Sequence, residues 1–478
     1  MLTPKALRPR TEPSVEPATP VAPAVRTAPP PAPATAKESA GDQNERQNPL
    51  RKIAFYCALG YIFVRLSVIS ELLLYITHVN FYLLYIFAPP AILGALTTGG
   101  IGRTLRSNAA KFWVGFFIWM LIGTPFASWR GESAGLVLYY GRITLPILFV
   151  VAGLAMNWKE IRMVFYTIAG AAIFSLFTAQ LFGRMDDEGR MRLDSSGNIG
   201  NSNDLGAHLL LVLPFLLYVM LDRTRNFVIR IAMLPPIAYG IWLVLGTASR
   251  GCMLALGAMF LYTLYRASPS QRAAAVIFGL VMAATVPFLL PQNVRARLMT
   301  LFSDSNMDPS LAAEARESRS TREYLFRQSV RYTIEHPLFG VGVGDFTSYE
   351  GSESLSKGEH GAWSVTHNFL TQISCEAGIP ALLLVLMALG SAMLAVNRAY
   401  RAARKKGLTD IANACFCYQL AMVGYLGSII FLAQAYYYYL PMMVGLAVVL
   451  SAIAMRQMGP SESPSVRAAA PAFPFAVR

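Results

Sequence analysis

Apolar runs close to the ~20 residues needed to cross a bilayer alternate with short polar stretches along most of the chain. Twelve such runs stand out. They are Ile53–Ser70, Val79–Leu96, Phe112–Ser128, Ala134–Met156, Ile161–Leu181, Leu205–Leu221, Phe227–Leu245, Gly251–Tyr265, Ala273–Leu290, Gly378–Val396, Ile411–Ala433 and Tyr437–Met455. Pro235-Pro236 interrupts the seventh. The pattern predicts an all-α polytopic membrane protein. The longest polar interval, residues 291–366, falls between the ninth and tenth spans. Within it Leu325, Phe326, Val330 and Ile334 form an apolar stripe among charged residues, which predicts a helix over Leu311–Glu335 ended by His336-Pro337. Gly340-Val-Gly-Val-Gly344 follows as a tight turn of bare backbone; its spacing is not that of a dinucleotide-binding loop.

The two ends of the chain break the pattern. Residues 1–49 are rich in Pro, Ala and Thr and lack an apolar core, so they read as a disordered arm and not as a signal peptide. Residues 457–478 read as a similar tail. The domain is then 50–456.

Charge gives the orientation. Arg51, Lys52, Arg103, Arg106, Lys111, Lys159, Arg162, Arg223, Arg225, Arg230, Arg266, Arg272, Arg398, Arg401, Arg404, Lys405 and Lys406 all fall on one side if the spans number twelve. Basic residues in short loops stay in the cytoplasm. Both termini are therefore expected there, with residues 182–204, 246–250 and 291–366 on the far side. Only 14% of residues are charged, the mean hydropathy is +0.43 and the net charge is +14. No basic helix or aromatic platform accompanies that charge, so nucleic acid is not the expected partner. The five cysteines sit in or beside apolar runs without CxxC spacing and read as small hydrophobes.

The outer side carries the candidate chemistry. Arg190, Arg192, Asn201, Asn203 and Asp204 lead into the sixth span. Arginine keeps its charge and donates in a planar fork, which suits a phosphate or diphosphate. Asn203 or Asp204 also fits a helix N-cap. Thr247-Ala-Ser249-Arg250 places another arginine at the outer mouth, as an anchor or an anion ligand. Arg316, Arg319, Arg322, Arg327 and Arg331 line the loop helix, and most read as a solvated face. His367-Asn368 stands where loop becomes span; a neutral imidazole there can take a proton from a hydroxyl, and a capping histidine is the plain alternative. Glu376 lies nine residues further on. No metal-ligand spacing or cofactor motif appears.

Taken in order, Arg192 with Asn201-Ser-Asn203-Asp204-Leu205, then Thr247-Ala-Ser249-Arg250, then Arg322 leading to Glu335-His-Pro337-Leu-Phe-Gly340-Val-Gly342, then His367-Asn368 with Gly378, resemble the O-antigen ligase and O-antigen polymerase superfamily. The resemblance covers most of residues 50–456. Nine residues separate Asn368 from Gly378, as in the ligase pattern, and Ala381 stands where that pattern has a second glycine. The resemblance implies a GT-C-like, metal-independent glycosyltransferase of the bacterial cytoplasmic membrane, requiring no cofactor. It would move a glycan from undecaprenyl diphosphate to an acceptor hydroxyl at the periplasmic face. His367, Arg250 and Arg192 would be catalytic, and Arg190, Asn201, Asn203, Asp204, Arg322 and Asn368 would bind substrate. The implied partners are the lipid-linked donor, a glycan or lipid A-core acceptor, membrane lipids and other polysaccharide assembly proteins.

A ligase, a polymerase and a protein O-oligosaccharyltransferase share this chemistry. A transporter or flippase of an anionic lipid or solute, or a structural subunit of an export complex, are the readings outside it. A transporter is expected to place charges near the midplane. Here only Arg65 and Glu71 depart from the outer rim, six residues apart and so poorly spaced for a helical pair.

Overall fold

The computed structural model describes residues 46–186, 190–193, 199, 201–289, 294–295 and 309–459. The rest of the arm, the tail and part of the large loop lie outside the described residues. The fold is all-α apart from a two-stranded hairpin. Its main helices are α1 Pro49–Leu66, α2 Ile69–Thr77, α3 Leu83–Thr97, α4 Asn108–Gly123, α5 Arg130–Tyr139, α6 Pro146–Leu154 and α7 Trp158–Phe182. The hairpin of β1 Gly183–Met185 and β2 Met191–Leu193 comes next. Then follow α8 Ser202–Leu221, α9 Leu234–Gly246, α10 Arg250–Arg266, α11 Pro269–Leu289, α12 Pro309–Glu335, α13 Phe346–Ser356, α14 Phe369–Lys405, α15 Thr409–Ile429 and α16 Tyr439–Met458.

Each expected span has a helix at its place, but not every one qualifies as a crossing. Among the described residues seven are long and apolar enough to cross a membrane, or eight if the pair α1–α2, bent by 66°, is one span. The expected twelve is a higher count. α3 has 15 residues and α10 has 17, each short of the usual crossing length. Pro235-Pro236 starts α9 instead of bending a longer helix, because the first turn of a helix needs no N–H there. The loop helix is present as α12 and stops at Glu335, before His336-Pro337. Two boundaries move. The ordered helix entry reaches into the expected arm, since Arg46 donates to the Met156 carbonyl at 3.1 Å and the Asn48 side chain caps α1. The tenth span begins at Phe369, nine residues before Gly378, because Asn368 caps it there.

Helices α8 and α16 are buried on nearly all sides and form the centre, with α15 against α8. A helix apolar all round belongs in that position. Around them the chain sorts its polar groups to two ends. At one end Arg51, fully buried, donates to Glu160 at 2.8 Å and to the Leu154 carbonyl at 2.7 Å. Arg162 pairs with Asp222 at 2.7 Å, Trp158 donates to Asp410 at 2.6 Å, and Arg266 donates to Asn397 at 2.6 Å. These are the basic loops that the charge pattern assigned to one side. The starts of α8, α10, α14 and α16 lie at the other end.

Candidate functional site

The loop before α14 is built around a buried carboxylate. Glu350 of α13 has no solvent exposure. It accepts the backbone N–H groups of Ala362 at 3.1 Å and Trp363 at 3.0 Å, and the Tyr324 hydroxyl at 2.9 Å. The chain thus pinned runs to His367, whose φ is +51°, a left-handed conformation that a non-glycine residue adopts at a cost. Asn368 then starts the helix, its Oδ1 accepting from the N–H of Leu370 at 2.9 Å and of Thr371 at 3.1 Å. Such a cap satisfies two of the orphan donors of the first turn.

His367 is half-buried, its Nε2 3.5 Å from the Ser364 hydroxyl. Burial, and then the charge of Arg322 on α12, push its pKa down to about 4. The imidazole is therefore neutral near pH 7, and the same shift makes it a weaker proton acceptor than a free histidine. Arg322 thus lies within electrostatic reach of His367. Thr333 of α12 meets Ser374 of α14 at 2.8 Å and ties the two helices together. The solvated-face reading holds for Arg327, exposed and paired with Glu323, whereas Arg331 binds Glu353 of α13.

The rest of the stretch is a broken helix. Gly378, at φ +86° and ψ +171°, separates a first half from a longer second half. The break leaves carbonyls without intrahelical donors, and the glycine loop supplies the donors. Val341 N–H donates to Cys375 O at 2.8 Å, Gly342 N–H to Glu376 O at 3.1 Å, and Trp119 Nε1 to Ala377 O at 3.0 Å. Irregular backbone inside a membrane protein persists only when satisfied in this way. The two backbones approach so closely that a Cβ on Gly340 would strike Glu376, and one on Gly378 would strike Leu338 O. Gly340–Gly344 is therefore a splint for the broken helix. Glu376, buried, accepts the Gly344 N–H at 3.2 Å, which gives it a structural role.

The second cluster gathers at the starts of α8 and α10. Arg190 donates to Asn203 Oδ1 at 2.8 Å and to the Thr247 carbonyl at 3.2 Å. The cap of α8 is Asn201, not Asn203 or Asp204. Its Oδ1 accepts from Asn203 N–H at 2.9 Å and Asp204 N–H at 3.0 Å. Asp204 accepts from Asn201 Nδ2 at 2.5 Å and from Gln434 Nε2 at 2.6 Å. Arg250 is the first residue of α10, behind the Ser249 cap. Gly251 beside it admits Phe431, whose ring lies 2.6 Å from where a Cβ would stand.

One segment joins the two clusters. Gln434 holds Asp204, while the neighbouring Ala435 N–H donates to Gln372 Oε1 of α14 at 3.1 Å. Gln372 sits one turn beyond Asn368. Arg192 joins neither cluster: it stands exposed on β2, opposite Arg184, and among the described residues its side chain makes no hydrogen bond or ion pair. Sequence reasoning missed Glu350, Gln372 and Gln434. The signal for the glutamines was an uncharged polar residue inside or beside an apolar run. Glu350 had no local signal.

The fold and this polar rim define a multi-pass, all-α membrane protein with Arg190, Arg250, Arg322, His367 and several amides at one end. Residues 235–386 match the family described as O-antigen ligase. That segment contains Arg250, Arg322, His367, Asn368 and Gly378, and it supports the O-antigen ligase and polymerase superfamily, with an enzymatic function of that type. No curated protein matches the chain.

Proposed function

We propose that the protein transfers a glycan from undecaprenyl diphosphate to an acceptor hydroxyl at the periplasmic face, as a ligase or polymerase of surface polysaccharide. The orientation follows from the basic end, taken as cytoplasmic. The observation that carries the reading is a neutral, half-buried His367 beside Arg322, bridged through Gln372 and the 434–435 segment to the Arg190–Asn203–Asp204 cluster and Arg250.

In this reading the acceptor oxygen attacks the anomeric carbon, and its proton passes to the His367 imidazole. The bond from that carbon to the diphosphate breaks, and its electron pair stays on the diphosphate. Arg250, Arg190, Arg192 and Arg322 stabilise that growing charge, as preorganised donors do best away from bulk water. Asn201 and Asn368 cap the helices that present these groups, Asn203 accepts from Arg190, and Asp204 ties Asn201 to Gln434.

His367→Ala and Arg250→Ala are each expected to abolish surface glycan, while immunoblots of the membrane fraction show normal protein. Normal glycan in both variants would end the reading. Lipid analysis of a deletion strain separates the subtypes: single lipid-linked repeats accumulate without a polymerase, full-length lipid-linked polymer without a ligase.

A further inference from the structure

A cavity of about 260 Å³ borders the chain on either side of the segment that bridges the two clusters, at Ala433 and Tyr436–Tyr438. Arg65, Tyr139, Tyr140, Thr144, Tyr436 and Tyr438 line it. One of these, Arg65, is half-buried and carries an Nε without a hydrogen-bond partner among the described residues. An orphaned guanidinium nitrogen beside a hollow calls for an explanation, and a missing ligand is one of the few available. The guanidinium of Arg65 is already oriented. It lies 4.8 Å from the Tyr438 ring and 5.7 Å from the Tyr61 ring, and the Tyr438 hydroxyl donates to the Arg65 carbonyl at 2.5 Å. The far wall is a π-helical turn, Tyr140–Thr144, which widens the backbone there. Trp113 donates to the Tyr140 hydroxyl at 2.9 Å and fixes that ring.

We propose that this cavity is a subsite for one sugar ring of the glycan, resting on the glycosyltransferase reading above. A pyranose has apolar C–H faces that lie flat on tyrosine rings and a rim of oxygens that accept from a guanidinium. The exposed Tyr139 ring and the Arg65 guanidinium supply both, whereas a prenyl chain would leave the guanidinium unsatisfied. The volume falls just under the roughly 300–1,000 Å³ of drug-sized pockets, which fits one ring and not an oligosaccharide.

The test is saturation-transfer NMR on the full-length protein in detergent micelles, titrating methyl β-glucoside and methyl β-glucuronide. Transfer to the ring protons of at least one is expected with the wild type. In Arg65→Gln and Tyr139→Ala the titration midpoint should rise about tenfold, the loss of one charged hydrogen bond or one stacking face. Tyr139 is 50% exposed, so its truncation leaves the fold intact should Arg65→Gln melt early. No transfer with the wild type, or unchanged midpoints in Tyr139→Ala, overturns the subsite. His367→Ala should bind the sugars as the wild type does. Normal surface glycan in that variant would sink the transferase reading and leave the binding result standing.

Discussion

The two ends of the helical bundle are fastened by different chemistry. At the basic end, charges hold one another: Arg51 with Glu160, and Arg162 with Asp222. At the opposite end, helix starts are held by neutral groups. Asn201, Ser249 and Asn368 cap α8, α10 and α14, while Gln372 and Gln434 grip a backbone N–H and a carboxylate. A charge pair satisfies itself and has little left for a ligand. A capping amide or hydroxyl fixes backbone through single hydrogen bonds and leaves no buried charge behind when it is replaced. The difference marks one end as an ion-paired anchor and the other as an array of capped helix starts.

The largest effect should come from the splint. Gly378→Ala adds a Cβ against Leu338 O at a φ that favours glycine, so a loss above about 3 kcal/mol is expected, read as a steep drop in folded protein by detergent melting. Normal melting would mean that the break is not held by the 338–342 loop. Next, Arg51→Ala leaves Glu160 without its buried partner and should cost about 3–5 kcal/mol, with surface glycan falling only as protein falls. A loss of glycan at full protein level would make the anchor end functional and break the contrast.

His367 gives a smaller, pH-dependent effect. Its folded pKa of about 4 lies below the ~6.5 of an unfolded histidine, so the unfolded chain takes the proton first as pH falls. The stability it contributes is full above about 6.5 and lost as pH falls toward 4. Melting between pH 7 and 4.5 should decline less steeply in His367→Gln than in the wild type. Identical slopes would show that His367 titrates like an exposed ring. The smallest stability effect belongs to Arg192→Ala, within about 0.5 kcal/mol, because its side chain holds nothing. Lower surface glycan at unchanged melting would confirm that it serves substrate; unchanged glycan would remove it from the site.

Much of this was readable locally. Each expected span coincides with a helix, since apolar runs are a property of the sequence alone. The motif residues around Arg250 and His367 fall at helix starts because caps and prolines act on their neighbours. The number of full crossings was less readable: α3 and α10 are apolar yet short, and α11 and α15, though 21 residues long, are not among the seven either. Arg65 looked like a stray charge in a span and proved to be packed between Tyr61 and Tyr438, the latter far away in the chain.

By itself, then, the sequence determined the helices, the sorting of basic loops to one end, and the residue types gathered at the other. Those follow from hydropathy, charge and capping, which act over a few residues. Tertiary structure alone decided that Gly340–Gly344 splints the break at Gly378, that Glu350 holds the loop leading to His367, and that Gln372 and Gln434 join the two clusters. Each of these rests on a buried hydrogen bond between distant segments, and such bonds form only where packing has already excluded water.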